Sequence, residues 1–197
     1  MMLVEETQVP EAALPVQALT DHLLLGSGFV ESDLQDAVLV SFLRAALAAI
    51  EGRTSKALIS RGFLVTLAHW SAPDAQRLPL APVQGITDVS IVDAYGAARL
   101  VDPADYRLQK DAHEPRLRAM SGCLPRIPES GSAEIRFDAG YGADFGAVPE
   151  DLKQAVLMLA AHYYEYRSDT ALSQGCMPFG VTSLIARYRP LRVGLGA

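Results

Sequence analysis

The last fifty residues confine this chain more tightly than any other stretch. From Pro149 onward the apolar residues Leu152, Val156, Leu159, Tyr163 and Tyr166 recur at steps of four, three, four and three, which is the stripe of a helix that packs on a partner. Pro149 stands at a first-turn position where a missing N–H is no loss, and Glu150 and Asp151 follow at the positive end of the helix dipole. What comes next cannot continue that helix. Between Met177 and Ala197 stand Pro178, Gly180, Pro190, Gly194 and Gly196, interleaved with Phe179, Val181, Leu184, Ile185, Tyr188, Leu191 and Val193. A tail so broken and so apolar predicts an extended arm that needs another surface to bury it.

The front of the chain predicts the partner for the C-terminal helix. Residues 1 to about 17, with Pro10 and Pro15, read as an extended lead-in, and a short helix is expected from Thr20 to near Gly26. A longer helix should open at Ser32, because Leu39, Leu43, Ala46 and Ile50 recur at steps of four, three and four. It is expected to pause at Gly52, with residues 54–59 adding further turns. From Phe63 to Tyr141 the pattern changes to short alternating runs punctuated by Pro and Gly. Residues 63–67, 86–93, 98–101, 106–109, 116–119 and 134–137 read as strands, the second and third forming a hairpin. Pro79 to Val83 reads as an extended connector. The fold class is therefore α+β: an antiparallel helical bundle with a small inserted β domain and an extended C-terminal arm. The divisions fall at 1–60 for the lead-in and first helices, 61–146 for the β insert, 147–170 for the last bundle helix and 171–197 for the arm.

Charge is unevenly spread. The net charge is -6, which argues against a surface that grips nucleic acid throughout, since phosphate binding rests on Lys and Arg. Glu5, Glu6, Glu11, Asp21, Glu31, Asp33 and Asp36 precede Leu43 with no Lys or Arg among them. After Asp169 there are Arg187, Arg189 and Arg192 and no acidic side chain. Such polarity suits head-to-tail matching between neighbouring copies, or a basic tail seeking an acidic partner; a solvated acidic face with a loose basic tail is the plainer alternative. No run approaches the roughly 18 apolar residues of a membrane span, and the acidic start lacks the features of a signal peptide, so a cytoplasmic place of synthesis is expected.

Catalytic chemistry finds little support. His162 and Glu165 share a helix face, but two ligands do not make a metal site, and His22, His69 and His113 are scattered. Tyr163, Tyr164 and Tyr166 lack the basic groove of a base-stacking platform, so packing is their expected use. Cys123 and Cys176 have no CxxC spacing, and Ser121-Gly122-Cys123 lacks a nucleophile-elbow frame. No catalytic residue, cofactor or metal is expected, and the chain reads as no enzyme.

Four segments carry a resemblance: Leu43 to Thr54; Leu80-Ala81-Pro82-Val83-Gln84-Gly85-Ile86; Ile135-Arg136-Phe137-Asp138-Ala139-Gly140-Tyr141-Gly142; and Val148 to Ala155 leading to Tyr163-Tyr164-Glu165-Tyr166-Arg167. Together with the tail, they resemble the head-tail connector, or adaptor, proteins of tailed bacteriophages and phage-derived gene transfer agents. The resemblance implies a structural ring of about twelve subunits beneath the portal, continuing the DNA channel and docking the tail. It also implies a place in the particle neck after assembly in the bacterial cytoplasm. The implied partners are the portal protein, a tail-side neck or stopper protein, and copies of the chain itself, with DNA passing without sequence-specific binding and no membrane. The portal-binding residues would be Phe179, Val181, Leu184, Ile185, Arg187, Tyr188, Arg189, Leu191 and Arg192, on an arm that reaches about 65 Å if fully extended. Two other readings stay open at this point: a cytoplasmic scaffolding or regulatory module, and a small metal-dependent enzyme using His162 and Glu165.

Overall fold

The structure, a computed structural model, describes residues 1–23, 32–167 and 177–189. In chain order the described residues form β1 (Met2–Glu5), α1 (Val16–His22), α2 (Ser32–Thr54), β2 (Arg61–Leu67), β3 (Ala75–Arg77), β4 (Val83–Val92), β5 (Ala98–Leu100), β6 (Tyr106–Gln109), β7 (Arg116–Ala119), β8 (Ser132–Ala139), α3 (Glu150–Glu165) and α4 (Phe179–Ile185). They fall into two compact units. One joins Met1–Val9 to Ile59–Ala143; the other joins Pro10–Leu58 to Asp144–Ala197. The class is α+β, with every strand pairing in the two sheets antiparallel.

The β unit holds a five-stranded sheet in the order β1-β2-β8-β4-β5 and a three-stranded sheet in the order β3-β7-β6. Its core follows from period-two alternation. Phe63, Val65 and Leu67 of β2 pair with Phe137, Ile135 and Ala133 of β8, and all six are buried. Phe63 and Phe137 stack with ring centroids 5.8 Å apart. In the smaller sheet Leu117 is fully buried while Arg116 and Arg118 flank it on the opposite face. The predicted strands are all present, and β4 and β5 form the expected hairpin. The short β3 was not foreseen, because three residues containing Gln76 and Arg77 carry no alternation.

The first nine residues depart from the expected division. They were assigned to the helical part as an extended lead-in, yet β1 adds to the edge of the large sheet, with Leu3 opposite Val65 and Glu5 opposite Phe63. Ion pairs fasten this start: Glu5 lies 2.9 Å from Arg61 and Glu6 lies 3.0 Å from Arg136. Both partners are far along the chain, so no local signal announced them.

The helical unit is built on α2 and α3. Leu39, Leu43, Ala46 and Ile50 of α2, and Leu152, Val156 and Leu159 of α3, are buried as their spacing predicts. The two helices pack together, with Phe42 meeting Tyr164 edge to face at 6.2 Å. The first short helix begins at Val16 rather than Thr20, directly after Pro15. The long helix does not pause at Gly52 but runs to Thr54, where Ser55 turns it with φ 54°. Residues 56–59 then leave the helix instead of extending it.

The tail is the largest correction. Phe179–Ile185 was expected to be extended, and it forms a helix followed by a single 3-10 turn at Ala186–Tyr188. Pro178 sits at the N-cap, where a proline does no harm, and Gly180 brings the helix close to Met158 of α3. Reading the Pro and Gly as breakers overlooked that Val181, Leu184 and Ile185 also hold a helical spacing. Leu191, Arg192 and the rest of the last eight residues lie outside the described residues.

Candidate binding surface on the C-terminal arm

Burial divides the arm into an inner and an outer side. Val181 and Ile185, four residues apart, are 0% and 1% exposed, and they face α3, the helix on which α4 packs. Phe179 is 87% exposed, so its ring is open to a partner. Leu184 is half-buried and Arg189 exposed. Of the candidate anchors read from the sequence, Val181 and Ile185 are thus already spent within the chain, while Phe179 and Arg189 remain outward.

A polar latch holds the end of α4. The Tyr188 hydroxyl donates to Asp151 Oδ1 at 2.7 Å, and Arg187 Nη2 lies 2.7 Å from Asp151 Oδ2. Asp151 Oδ1 also accepts from the Leu152 N–H at 3.0 Å, at the amino end of α3. One carboxylate therefore serves a helix start and a distant aromatic at once. The basic tail was expected to look for an acid; for Arg187 that acid belongs to the same chain. The Asp151 side chain is only 20% exposed against 70% for Arg187. The tyrosine hydrogen bond should accordingly outweigh the largely solvated ion pair.

Burial, and next the hydrogen bond to Asp151, push the Tyr188 phenol above its ordinary ionisation range. A raised folded-state value means the folded chain holds this proton more tightly. The contribution is complete below the ordinary tyrosine range near pH 10 and is lost as the pH climbs through the raised value. Asp151→Ala should remove about 1–2 kcal/mol from the docking of α4 and bring the Tyr188 titration back toward that of free tyrosine. A spectrophotometric tyrosine titration of both proteins checks this; identical curves would contradict it.

The other sequence candidates resolve into packing. The His162 ring lies 4.7 Å from that of Tyr166, and Arg167 stacks over Tyr164 at 4.4 Å. Among the described residues no group of three His, Cys, Asp or Glu side chains is placed to hold a metal ion. Cys123 is exposed, and Cys176 lies outside the described residues. Sequence reasoning missed Asp151 as a docking residue, having read it only as a helix-dipole acid. It also missed Arg136, which faces Glu6, Asp88 and Glu134 at 3.0, 3.3 and 3.6 Å on the outer face of the large sheet. One guanidinium among three carboxylates leaves that face negative.

No protein-family model and no curated protein sequence matches the chain. Solved structures do. A chain in the neck of an empty gene transfer agent particle, computed with C6 symmetry, is 52% identical with a TM-score of 0.90, over 100% of this chain and 99% of that one. A chain in the virion of a native gene transfer agent particle is also 52% identical, with a TM-score of 0.87 and the same coverage. A chain in the neck of a native particle, computed with C12 symmetry, is 50% identical with a TM-score of 0.85, again over 100% and 99%. Half the residues are shared from one end to the other, and the chain belongs to the family of these gene transfer agent particle proteins.

Proposed function

We propose that this chain is a head-tail connector, or adaptor, subunit in the neck of a gene transfer agent or tailed-phage particle. Its helices form a bundle with the β unit as an insert, and about twelve copies, a number that suits the C12 symmetry with which a relative's neck was computed, make a ring under the portal. The ring continues the DNA channel and docks a tail-side neck protein. Its role is structural, and the particle neck, reached by assembly in the bacterial cytoplasm, is its location. The observation that carries this reading is the full-length identity of 52% to a neck chain. The acidic outer sheet face around Arg136 suits it, because a negative wall repels phosphate and lets DNA slide.

The arm is the proposed portal contact, and the burial of its side chains supports a division of labour within it. Val181 and Ile185 seat the helix on α3, Tyr188 and Arg187 lock it to Asp151, and Phe179, Leu184 and Arg189 are left to meet the portal, with Leu191 and Arg192 following them. A ring of such modest contacts gains strength by engaging together. Phe179→Ala, at a side chain that is 87% exposed, is expected to weaken binding to purified portal rings by about 30-fold, as loss of a buried aromatic anchor does. Unaltered binding would remove the arm from the portal joint. The wider reading is tested in a producing cell from which the gene is deleted: filled heads without tails are expected, and tailed particles lacking this chain would overturn it.

A further inference from the structure

The large sheet ends in two edges that carry exposed apolar side chains. Among the described residues no strand pairs with the outer side of β1 or of β5. Natural proteins blunt such edges with Lys, Pro or bulges, since open N–H and C=O groups recruit other chains. Here β1 reads Met2-Leu3-Val4-Glu5 and all four residues are exposed. At the far edge Leu100 is 70% exposed, and Tyr95, at the tip of the β4–β5 hairpin, is 97% exposed. The tip is firmly built: Asp93 Oδ1 accepts from the N–H groups of Tyr95 and Ala97 at 2.8 and 2.9 Å.

The placement of these residues is directional. Register puts Met2 and Val4 on the same sheet face as Leu64, Arg136, Asp88 and Leu100. Across that face, apolar side chains at both margins enclose the charged group around Arg136. The opposite face has Leu3 and Glu5 at one margin and Arg99 at the other. Arg99 is exposed and has no ion pair among the described residues. Acidic Glu5 and Glu6 thus flank one edge, and a basic residue marks the other.

A closed ring joins subunits through two different patches that complement each other, one patch on each side of every copy. We propose that the β1 edge of one copy is covered by the β5 edge and hairpin tip of the next, Met2 and Val4 against Leu100 and Tyr95, with Arg99 turned toward the acidic flank. This inference rests on the ring reading above and identifies which surfaces close it.

The test uses whole particles assembled with the full chain. Cys123 and Cys176 are replaced by serine, Val4→Cys and Leu100→Cys are introduced together or singly, and a short bismaleimide is added. The paired variant should give a ladder of multiples of the chain on a denaturing gel, and each single variant no multiple above a dimer. Paired-variant chain that enters particles yet stays single, or that joins only a different particle protein, overturns the proposal. As a second variant, Arg99→Glu changes an exposed residue with no ion pair among the described residues and should lower incorporation about tenfold; full incorporation would also overturn it. If the unsubstituted chain is itself missing from particles, the neck reading has failed instead.

Discussion

Gly140→Ala is expected to lower the stability of the β unit by about 3 kcal/mol or more. Gly140 ends β8 with φ 141°, in a region that L side chains rarely adopt. A Cβ there would collide with the backbone N and Cα of Ser60 and lie 2.6 Å from the carbonyl carbon of Ile59. Backbone cannot step aside as a flexible side chain can. Ser60 is held by donating to Gly142 O at 2.7 Å, and Gly140 is held by donating to Pro82 O at 2.9 Å and accepting from Gln84 Nε2 at 2.6 Å. Thermal melting should show a drop of about 6–12 °C. Gly52→Ala is the control, since nothing lies within 4 Å of that helical position, and it should stabilise by up to about 1 kcal/mol. Equal melting temperatures for Gly140→Ala and the unsubstituted chain would refute the clash.

Ile185→Asp should free α4 from α3. The substitution places a carboxylate where a side chain is 1% exposed, and an unpaired buried charge is worth several kcal/mol against the docked state. The damage stays local, because undocking α4 relieves the charge without unfolding α3 or the sheets. Amide hydrogen exchange should accelerate by about a hundredfold or more over 179–188, with β2 and β8 unchanged. Unchanged protection over 179–188 would mean that Ile185 does not seat the helix. The same variant separates two roles of the arm: portal binding that survives undocking must come from Phe179 and the residues after Tyr188.

Much of this architecture was legible in the residues, for reasons that can be named. Leu39, Leu43, Ala46 and Ile50, and later Leu152, Val156 and Leu159, write a helical period that survives any tertiary context, because only that face can be buried. The period-two runs around Val65 and Ile135 did the same for the sheet. The resemblance rested on positions whose purpose appears in three dimensions: Gly140 within the Ile135 to Gly142 segment lies against the Ser60 backbone, and Asp151 in the Val148 to Ala155 segment receives Tyr188.

What sequence could not supply were the partners. Strand β1 needed β2, sixty residues on, to become a strand at all, and the tail needed the face of α3 before its helical spacing outweighed its prolines and glycines. Local periodicity and backbone preference are properties of neighbouring residues and determined α2, α3 and most strands, as the order of charged residues determined the acidic-to-basic polarity. Edge pairing, the docking of α4 and the sharing of Asp151 are contacts between distant segments. Their free energy comes from burial and hydrogen bonds that exist only once the chain has closed on itself, so tertiary structure alone decided them.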